Sequence, residues 1–175
     1  VGFRERGLDW RYITMKVEPG DLKTAMDGMK AVGMRGLNLT IPFKVEGVKL
    51  MDELSPAAEI IGAINVVVNK DGKLWGENTD GKGLLASFHN EGVDVRGKNI
   101  FILGAGGAAR AISVECALAG AKKITIANIF REQGEELVKL LNTRTDAQAE
   151  FVFWDHPLTI PADTDILSTA TSIGL

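Results

Sequence analysis

The sequence predicts an α/β protein built as two successive domains, the first around a mixed sheet and the second around a parallel, doubly wound one. Three observations carry that expectation. Strand-like and helix-like segments alternate along the chain, which favours mostly parallel sheets. Lys70-Asp71-Gly72 separates two β-branched or aromatic runs, and Asp-Gly is a strong two-residue hairpin signal. From Asn99 an apolar run enters the turn Gly104-Ala105-Gly106-Gly107-Ala108. Glycines there accept positive φ and let the backbone approach a pyrophosphate, and the next helix aims free N–H groups at it, as in a Rossmann-type nucleotide-binding domain.

Each element has a local reason. Arg11 to Val17 reads as a strand, and Pro19-Gly20-Asp21 starts a helix with Leu22, Ala25, Met26, Met29 and Val32 at helical spacing. Gly36 to Ile41 is a short strand stopped by Pro42. Lys44 to Leu54 is expected as one helix with Val45, Val48 and Leu50 or Met51 turned inward. Another helix starts at Ser55-Pro56 and ends at Gly62; Ala63 to Asn69 and Lys73 to Glu77 are the hairpin strands. Thr79 to Glu91 is a further helix, and Gly92 to Lys98 a polar turn. Beyond it follow strand 99–103, helix 107–119, strand 123–128, helix 131–142 and strands 150–153 and 165–168, the start of a doubly wound sheet.

Composition narrows the class. With 45% hydrophobic residues the chain can bury a core, and no apolar run approaches the roughly 18–20 residues that span a bilayer. No signal-peptide pattern opens the sequence, so a cytoplasmic protein is expected. Twenty basic and 23 acidic residues are interspersed, which argues against a nucleic-acid or membrane surface and for a small-molecule partner. The single cysteine, Cys116, excludes an intramolecular disulfide or a multi-cysteine zinc site. It falls on the apolar stripe of its helix and is expected in the core. His89 and His156 are expected at the surface, and no metal site is foreseen.

Three stretches place polar side chains where a strand or hairpin ends: Asn38-Leu39-Thr40-Ile41-Pro42-Phe43-Lys44, Gly62-Ala63-Ile64-Asn65 and Glu77-Asn78-Thr79-Asp80-Gly81. In open α/β sheets ligands bind outside the carboxyl ends of strands. Each stretch also has a plain structural explanation: an edge-strand face for Asn38 and Thr40, a turn for Asn65, a helix cap for Asn78-Thr79-Asp80, a solvated first turn for Lys44. Together they hold donors, acceptors, one cation and one carboxylate, the set that grips a polyhydroxylated ring and moves a proton at one of its carbons. A sheet could bring Lys44 and Asp80 together; pairing would keep the lysine charged, and burial would lower its pKa.

In this order the motifs resemble those of the shikimate and quinate dehydrogenase family: Asn-x-Thr-x-Pro-x-Lys at Asn38 to Lys44, Gly-Ala-x-Asn at Gly62 to Asn65, Asn-Thr-Asp-Gly at Asn78 to Gly81, and Gly-Ala-Gly-Gly-Ala at Gly104 to Ala108. Ser168 to Leu175 is similar to the family's Asn-Ala-Thr-Ser-x-Gly-Met segment beside the cofactor. The resemblance implies a substrate-binding and catalytic domain over 1–80, a connecting helix and turn over 81–97, and an NAD(P)-binding domain over 98–175. It implies reversible NAD(P)-dependent reduction of 3-dehydroshikimate to shikimate in aromatic amino-acid biosynthesis. Lys44 would be the general acid/base and Asp80 its partner. Thr40, Asn65, Thr79 and Asp80 would bind ring hydroxyls, with Asn38 supporting the pocket. Gly104, Ala105, Gly106, Gly107, Ala108, Asn128, Arg131, Thr169 and Ala170 would line the cofactor, and a homodimer is expected.

The departures are as informative. The family's Ser-x-Ser segment, which grips the substrate carboxylate, would precede Val1, and a glutamine from a C-terminal helix would follow Leu175, so the chain is expected to be part of a longer protein. Relatives using NADP carry Asn-Arg-Thr where this chain has Asn128-Ile129-Phe130. Neither that arginine nor a strand-end carboxylate for NAD is present, Arg131 and Arg110 being the nearby cations; family frequency favours NADP over NAD. Phe130 is a candidate to stack on adenine. Quinate/shikimate dehydrogenases of broader specificity, other two-domain dehydrogenases and a nucleotide-binding relative without turnover are the competing readings. Lys44 and Asp80 together disfavour the last.

Overall fold

The computed structural model describes residues 2–171, and the chain builds two four-stranded sheets in succession. Helices α1 (Gly2–Glu5) and α2 (Leu22–Ala31) precede β1 (Gly36–Asn38), α3 (Phe43–Glu46), a 3-10 turn (Gly47–Leu50), β2 (Glu53–Leu54), α4 (Pro56–Ile61), β3 (Val66–Lys70), β4 (Lys73–Glu77) and α5 (Asp80–Asn90). The second half runs β5 (Asn99–Leu103), α6 (Gly107–Leu118), β6 (Lys123–Asn128), α7 (Arg131–Arg144), β7 (Gln148–Phe153) and β8 (Ile166–Thr169).

The first sheet has the order β1-β3-β4-β2 and is mixed, with β1, β3 and β4 antiparallel and β2 parallel to β4. Its centre is the expected hairpin. Asp71 and Gly72 both take positive φ, +53° and +90°, so the turn's twist matches that of its strands and pins Lys70 opposite Lys73. Leu22, Met26 and Met29 of α2 cover this sheet together with Leu39, Ala58, Ile64, Val67 and Leu74. Ser55 caps α4 by accepting the Ala58 N–H at 3.1 Å, and Gly62 ends it in the left-handed conformation at φ +70°.

Several expectations are corrected here. Arg11 to Val17 forms no strand. A strand needs a ladder partner about 4.8 Å away, whereas a cavity of about 900 Å³, lined by Trp10, Arg11, Tyr12, Leu37 and Val67 among others, lies between this segment and the first sheet. Tyr12, Ile13 and Met15 are accordingly exposed. The strand expected to reach Ile41 ends at Asn38. Val32 is not part of the buried stripe of α2; it follows the helix, is exposed, and precedes Gly33 at φ +68°.

The single helix expected over Lys44 to Leu54 is instead α3, the 3-10 turn and β2, with Val45 exposed. Two contacts break it. Gly47 approaches the core so closely that a Cβ there would stand 2.5 Å from Leu39 Cδ1. Asp52 then brackets Leu74, donating its N–H to the Leu74 carbonyl (2.9 Å) and accepting the Leu74 N–H on its carboxylate (2.7 Å). The chain is thereby captured as an edge strand.

The second sheet is parallel throughout, in the order β7-β6-β5-β8. In chain order of its strands that is 3-2-1-4, the beginning of the doubly wound arrangement, and the order reverses between β5 and β8. Burial of both faces explains the apolar runs of β5 and β6. α7 extends to Arg144, two residues past expectation, and β7 begins earlier, at Gln148. Cys116 is buried in this core, and burial pushes its thiol up to about 12, so it remains a protonated small hydrophobe. His89 and His156 are exposed. Among the described residues no helix is long and apolar enough to cross a membrane.

The two halves are packed together by helices. Ala57 and Ile61 of α4 lie in the core of the second half. α5 crosses α6 at Gly81, where a Cβ would meet the Ala111 carbonyl oxygen at 2.4 Å and Glu115 Cγ at 2.7 Å.

Candidate active site

The carboxyl ends of β1 and β4, with the amino end of the antiparallel β3 between them, bring four expected residues into one hydrogen-bonded group. Lys44, on α3, donates from Nζ to Asp80 Oδ2 at 2.8 Å, across 36 residues of chain. Asn65 holds the other side: its Nδ2 donates to Asp80 Oδ1 (2.7 Å) and to Thr79 Oγ1 (3.1 Å), while its Oδ1 accepts the Thr79 N–H (2.9 Å). The backbone locks Asn65 in turn, its N–H donating to the Glu77 carbonyl and its carbonyl accepting the Leu39 N–H. The Ile64 N–H donates to the Lys44 carbonyl at 2.8 Å, tying α3 to the same turn.

The Lys44 and Asp80 side chains are 29% and 40% exposed. A pair so open to water adds only about 0.2–1 kcal/mol of stability. Its significance is chemical: an ammonium with donors to spare, oriented by a carboxylate that an amide holds in place. Asn38 borders the group, donating to the Asn65 carbonyl at 3.3 Å and accepting the Tyr12 hydroxyl at 3.1 Å. Thr40 is exposed and its side chain makes no hydrogen bond among the described residues. The cap expected at Asn78-Thr79-Asp80 is made by Asn78, which is buried; its Oδ1 accepts the Asp80 N–H (3.1 Å) and its Nδ2 donates to the Ala63 carbonyl (3.1 Å).

Beneath this group lies a cluster that sequence reasoning missed. Glu77 is buried; its Oε1 accepts the Ser55 hydroxyl and the Asn78 N–H, and its Oε2 pairs with Lys82 Nζ at 2.5 Å. Glu115, on α6, is 6% exposed, with Oε1 unpartnered among the described residues. Burial is the main reason its carboxyl is held above the ordinary value of 4.5; Lys82 pulls the other way and Glu77 adds to the rise. The stability linked to Glu115 is therefore complete below the ordinary value and is lost as pH rises through the raised one. Glu115→Gln, a neutral isostere, is expected to raise the thermal midpoint at mildly alkaline pH and flatten its pH dependence. An unchanged pH profile in thermal denaturation contradicts this account.

The glycine turn occupies the matching position in the second half. Gly104 takes φ +108° with its N–H on the Ala127 carbonyl, and a Cβ there would come within 2.8 Å of the Ala170 carbonyl oxygen. A side chain at Gly104 is thus excluded by the fold. At Gly106 and Gly107 a Cβ would meet nothing within 4 Å. The absence of side chains there leaves open space in front of the first-turn N–H groups of α6, in which Ala108 is exposed. That space suits a pyrophosphate. A cavity of about 400 Å³ runs past Ala105, Gly106, Gly107 and Arg110 to Val45 and Ala63, the neighbours of Lys44 and of the Asn65 turn. The cavity therefore runs from the glycine turn to Val45, the residue after Lys44 on α3.

At the far end of this face Asn128 is buried and spends its Nδ2 on the Phe130 carbonyl at 2.9 Å. Ile129 and Phe130 are exposed, and Arg131 opens α7. Arg110 is engaged with Glu136 at 3.3 Å. Thr169 ends β8, and the Ala170 N–H donates to the Leu103 carbonyl, which brings both beside the glycine turn. Ser172 to Leu175 lie outside the described residues.

Residues 1–67 match the family described as the shikimate dehydrogenase substrate binding domain. The shikimate dehydrogenase (NADP(+)) of Desulforamulus reducens is 40% identical over 178 residues, covering 100% of this chain and 61% of that protein. Along its whole length the chain is similar to shikimate dehydrogenases. It spans about three fifths of the length of the curated relatives it matches. Two solved structures superpose on nearly all of it. Ligand-free 5-ketofructose reductase of Gluconobacter sp. strain CHM43 is 46% identical with a TM-score of 0.96, over 99% of this chain and 62% of that one. Shikimate 5-dehydrogenase of Listeria monocytogenes, in complex with shikimate and NAD, is 38% identical with a TM-score of 0.91, again over 99% and 62%.

Proposed function

We propose that the protein is an NAD(P)-dependent oxidoreductase that interconverts 3-dehydroshikimate and shikimate, serving aromatic amino-acid biosynthesis. The observation that carries this reading is the Lys44–Asp80 pair, held by Asn65 and carried on α3, whose next residue Val45 lines the cavity at the glycine turn. In this assignment residues 1–80 bind substrate, 81–97 connect, and 98–175 bind the nucleotide. A bound nicotinamide supplies or accepts the hydride.

The chain's own residues do the rest. In the reducing direction Lys44 donates a proton from Nζ to the oxygen of the carbonyl being reduced; in the oxidising direction neutral Lys44 removes the proton from the hydroxyl. Asp80 aims the ammonium and balances its charge. Thr40, Asn65, Thr79 and Asp80 accept from and donate to ring hydroxyls, with Asn38 buttressing Asn65. Gly104 to Ala108, with Thr169 and Ala170 beside them, seat the pyrophosphate. NADP is favoured over NAD because curated relatives at 40–44% identity are named for it. The reading also expects a cytoplasmic homodimer with neither nucleic acid nor membrane as partner.

A second reading is favoured by one observation, the 46% identity and TM-score of 0.96 to a 5-ketofructose reductase. Reduction of a polyhydroxylated ketone to a secondary alcohol uses the same proton donor and the same hydroxyl-binding amides. The two readings are separated by measuring NADPH- and NADH-dependent reduction of 3-dehydroshikimate and of 5-ketofructose with the full-length protein. The first predicts that kcat/KM for 3-dehydroshikimate exceeds that for 5-ketofructose by at least about tenfold. The reverse ratio establishes the second, and no turnover of either ketone refutes both.

A further inference from the structure

We infer that Arg131, stacked on Phe153, is the residue that recognises the 2′-phosphate of NADP; the inference rests on the proposed nucleotide site and assigns its adenosine end. In a doubly wound sheet the adenosine ribose lies beyond the end of the second strand, where a carboxylate selects the free 2′-hydroxyl and an arginine accommodates a 2′-phosphate. That strand is β6, ending at Asn128. None of the three residues at its end supplies either charge. Asn128 is buried with its amide bonded to the Phe130 carbonyl, and Ile129 and Phe130 are apolar.

Arg131 comes next, and its position is built. β7 pairs with β6 so that Phe153 stands opposite Asn128. The Arg131 guanidinium carbon lies 4.5 Å from the centre of the Phe153 ring and 5.9 Å from that of Phe151. Gly134 makes this approach feasible: a Cβ there would stand 2.1 Å from Phe151 Cε2, so only glycine lets the first turn of α7 settle onto the aromatic pair. Stacking holds the guanidinium plane but leaves its in-plane N–H groups free to form a fork. Among the described residues only Nη1 is hydrogen-bonded, to Glu135 at 3.3 Å. The N–H groups of Nε and Nη2 remain for a phosphate, which such a fork binds bidentately.

The surroundings make this cation decisive. Glu132 lies in the same first turn as Arg131, Glu135 is its bonded partner, and Arg110, paired with Glu136, lines the cavity beside Gly106 and Gly107. With Arg131 neutralised, a 2′-phosphate would face Glu132 and Glu135, whereas a 2′-hydroxyl would meet no such repulsion. The apolar Ile129 and Phe130 offer contact area that does not depend on the phosphate.

Equilibrium binding of NADP+, NAD+, 2′,5′-ADP and 5′-AMP to the full-length protein tests the assignment by calorimetry, with no turnover required. The wild type is expected to bind NADP+ and 2′,5′-ADP more tightly than NAD+ and 5′-AMP. Arg131→Gln is expected to weaken the two 2′-phosphorylated ligands about 10- to 100-fold, as for a lost charge-assisted contact, and to leave the other two within about twofold. Arg131→Lys restores part of the loss, since an ammonium keeps the charge without the fork. Phe153→Leu moves the same ratio in the same direction by a smaller factor. A NADP+/NAD+ ratio unchanged by Arg131→Gln, an equal loss for all four ligands, or a wild-type preference for NAD+ overturns the assignment. Absence of binding by all four ligands to the wild type refutes the nucleotide site itself.

Discussion

Lys44→Ala is expected to lower turnover by about three orders of magnitude, the range contributed by a positioned general acid or base. Nucleotide affinity is expected to stay within a few-fold, because Lys44 reaches Asp80 rather than the glycine turn. The loss should fall on kcat more than on KM, since the proton moves in the transition state and Asn65 and Thr79 still offer hydrogen bonds to the substrate. Stability changes little, an ion pair this exposed being worth at most about 1 kcal/mol. Steady-state kinetics, with nucleotide binding measured separately, check the expectation. Turnover retained within tenfold removes Lys44 as the proton donor; equal losses in turnover and nucleotide affinity point to damage of the cleft as a whole.

Gly81→Ala is expected to be strongly destabilising. The new Cβ would stand 2.4 Å from the Ala111 carbonyl oxygen, a backbone atom in the middle of α6, and 2.7 Å from Glu115 Cγ. A flexible side chain can swing away; a helix backbone cannot, so α5 must lift. Overpacking of this kind costs about 3 kcal/mol, roughly 6–12 °C of thermal midpoint for a chain of this size. The displacement also reaches the site, because Gly81 follows Asp80 and precedes Lys82, the partner of Glu77. Thermal denaturation together with turnover of the soluble variant decides the matter. A midpoint within about 2 °C of wild type shows that the crossing can relax.

Much of the fold was legible because its signals are local. Asp71-Gly72 announced a turn that only positive φ can close, Ser55-Pro56 and Gly62 bracketed α4, and the glycine turn sat between an apolar strand and a helix. The site motifs were legible for the same reason, each falling at a strand end. The failures share the opposite cause. Arg11 to Val17 has strand composition without a ladder partner. Lys44 to Leu54 has helical spacing, yet Gly47 is drawn into the core and Asp52 is held by Leu74 across the sheet. Glu115, a charged residue of α6 that no motif includes, is buried where α5 lies over it. A break in the apolar pattern between Val114 and Cys116 was the one signal that could have exposed it.

By itself the sequence determined the order of elements from α4 onward, the hairpin, the phosphate-binding turn and the inventory of polar residues, all of which depend on backbone preferences and neighbours a few positions away. Tertiary structure alone decided which of those residues meet. It set Lys44 against Asp80 with Asn65 as the clamp, buried Glu77 and Glu115 beneath them, and stacked Arg131 on Phe153. The glycine turn and α3, which carries Lys44, border a single cavity where α4 and α5 of the first half pack against α6 of the second. Such contacts depend on which surfaces come to face one another, and no local preference encodes that.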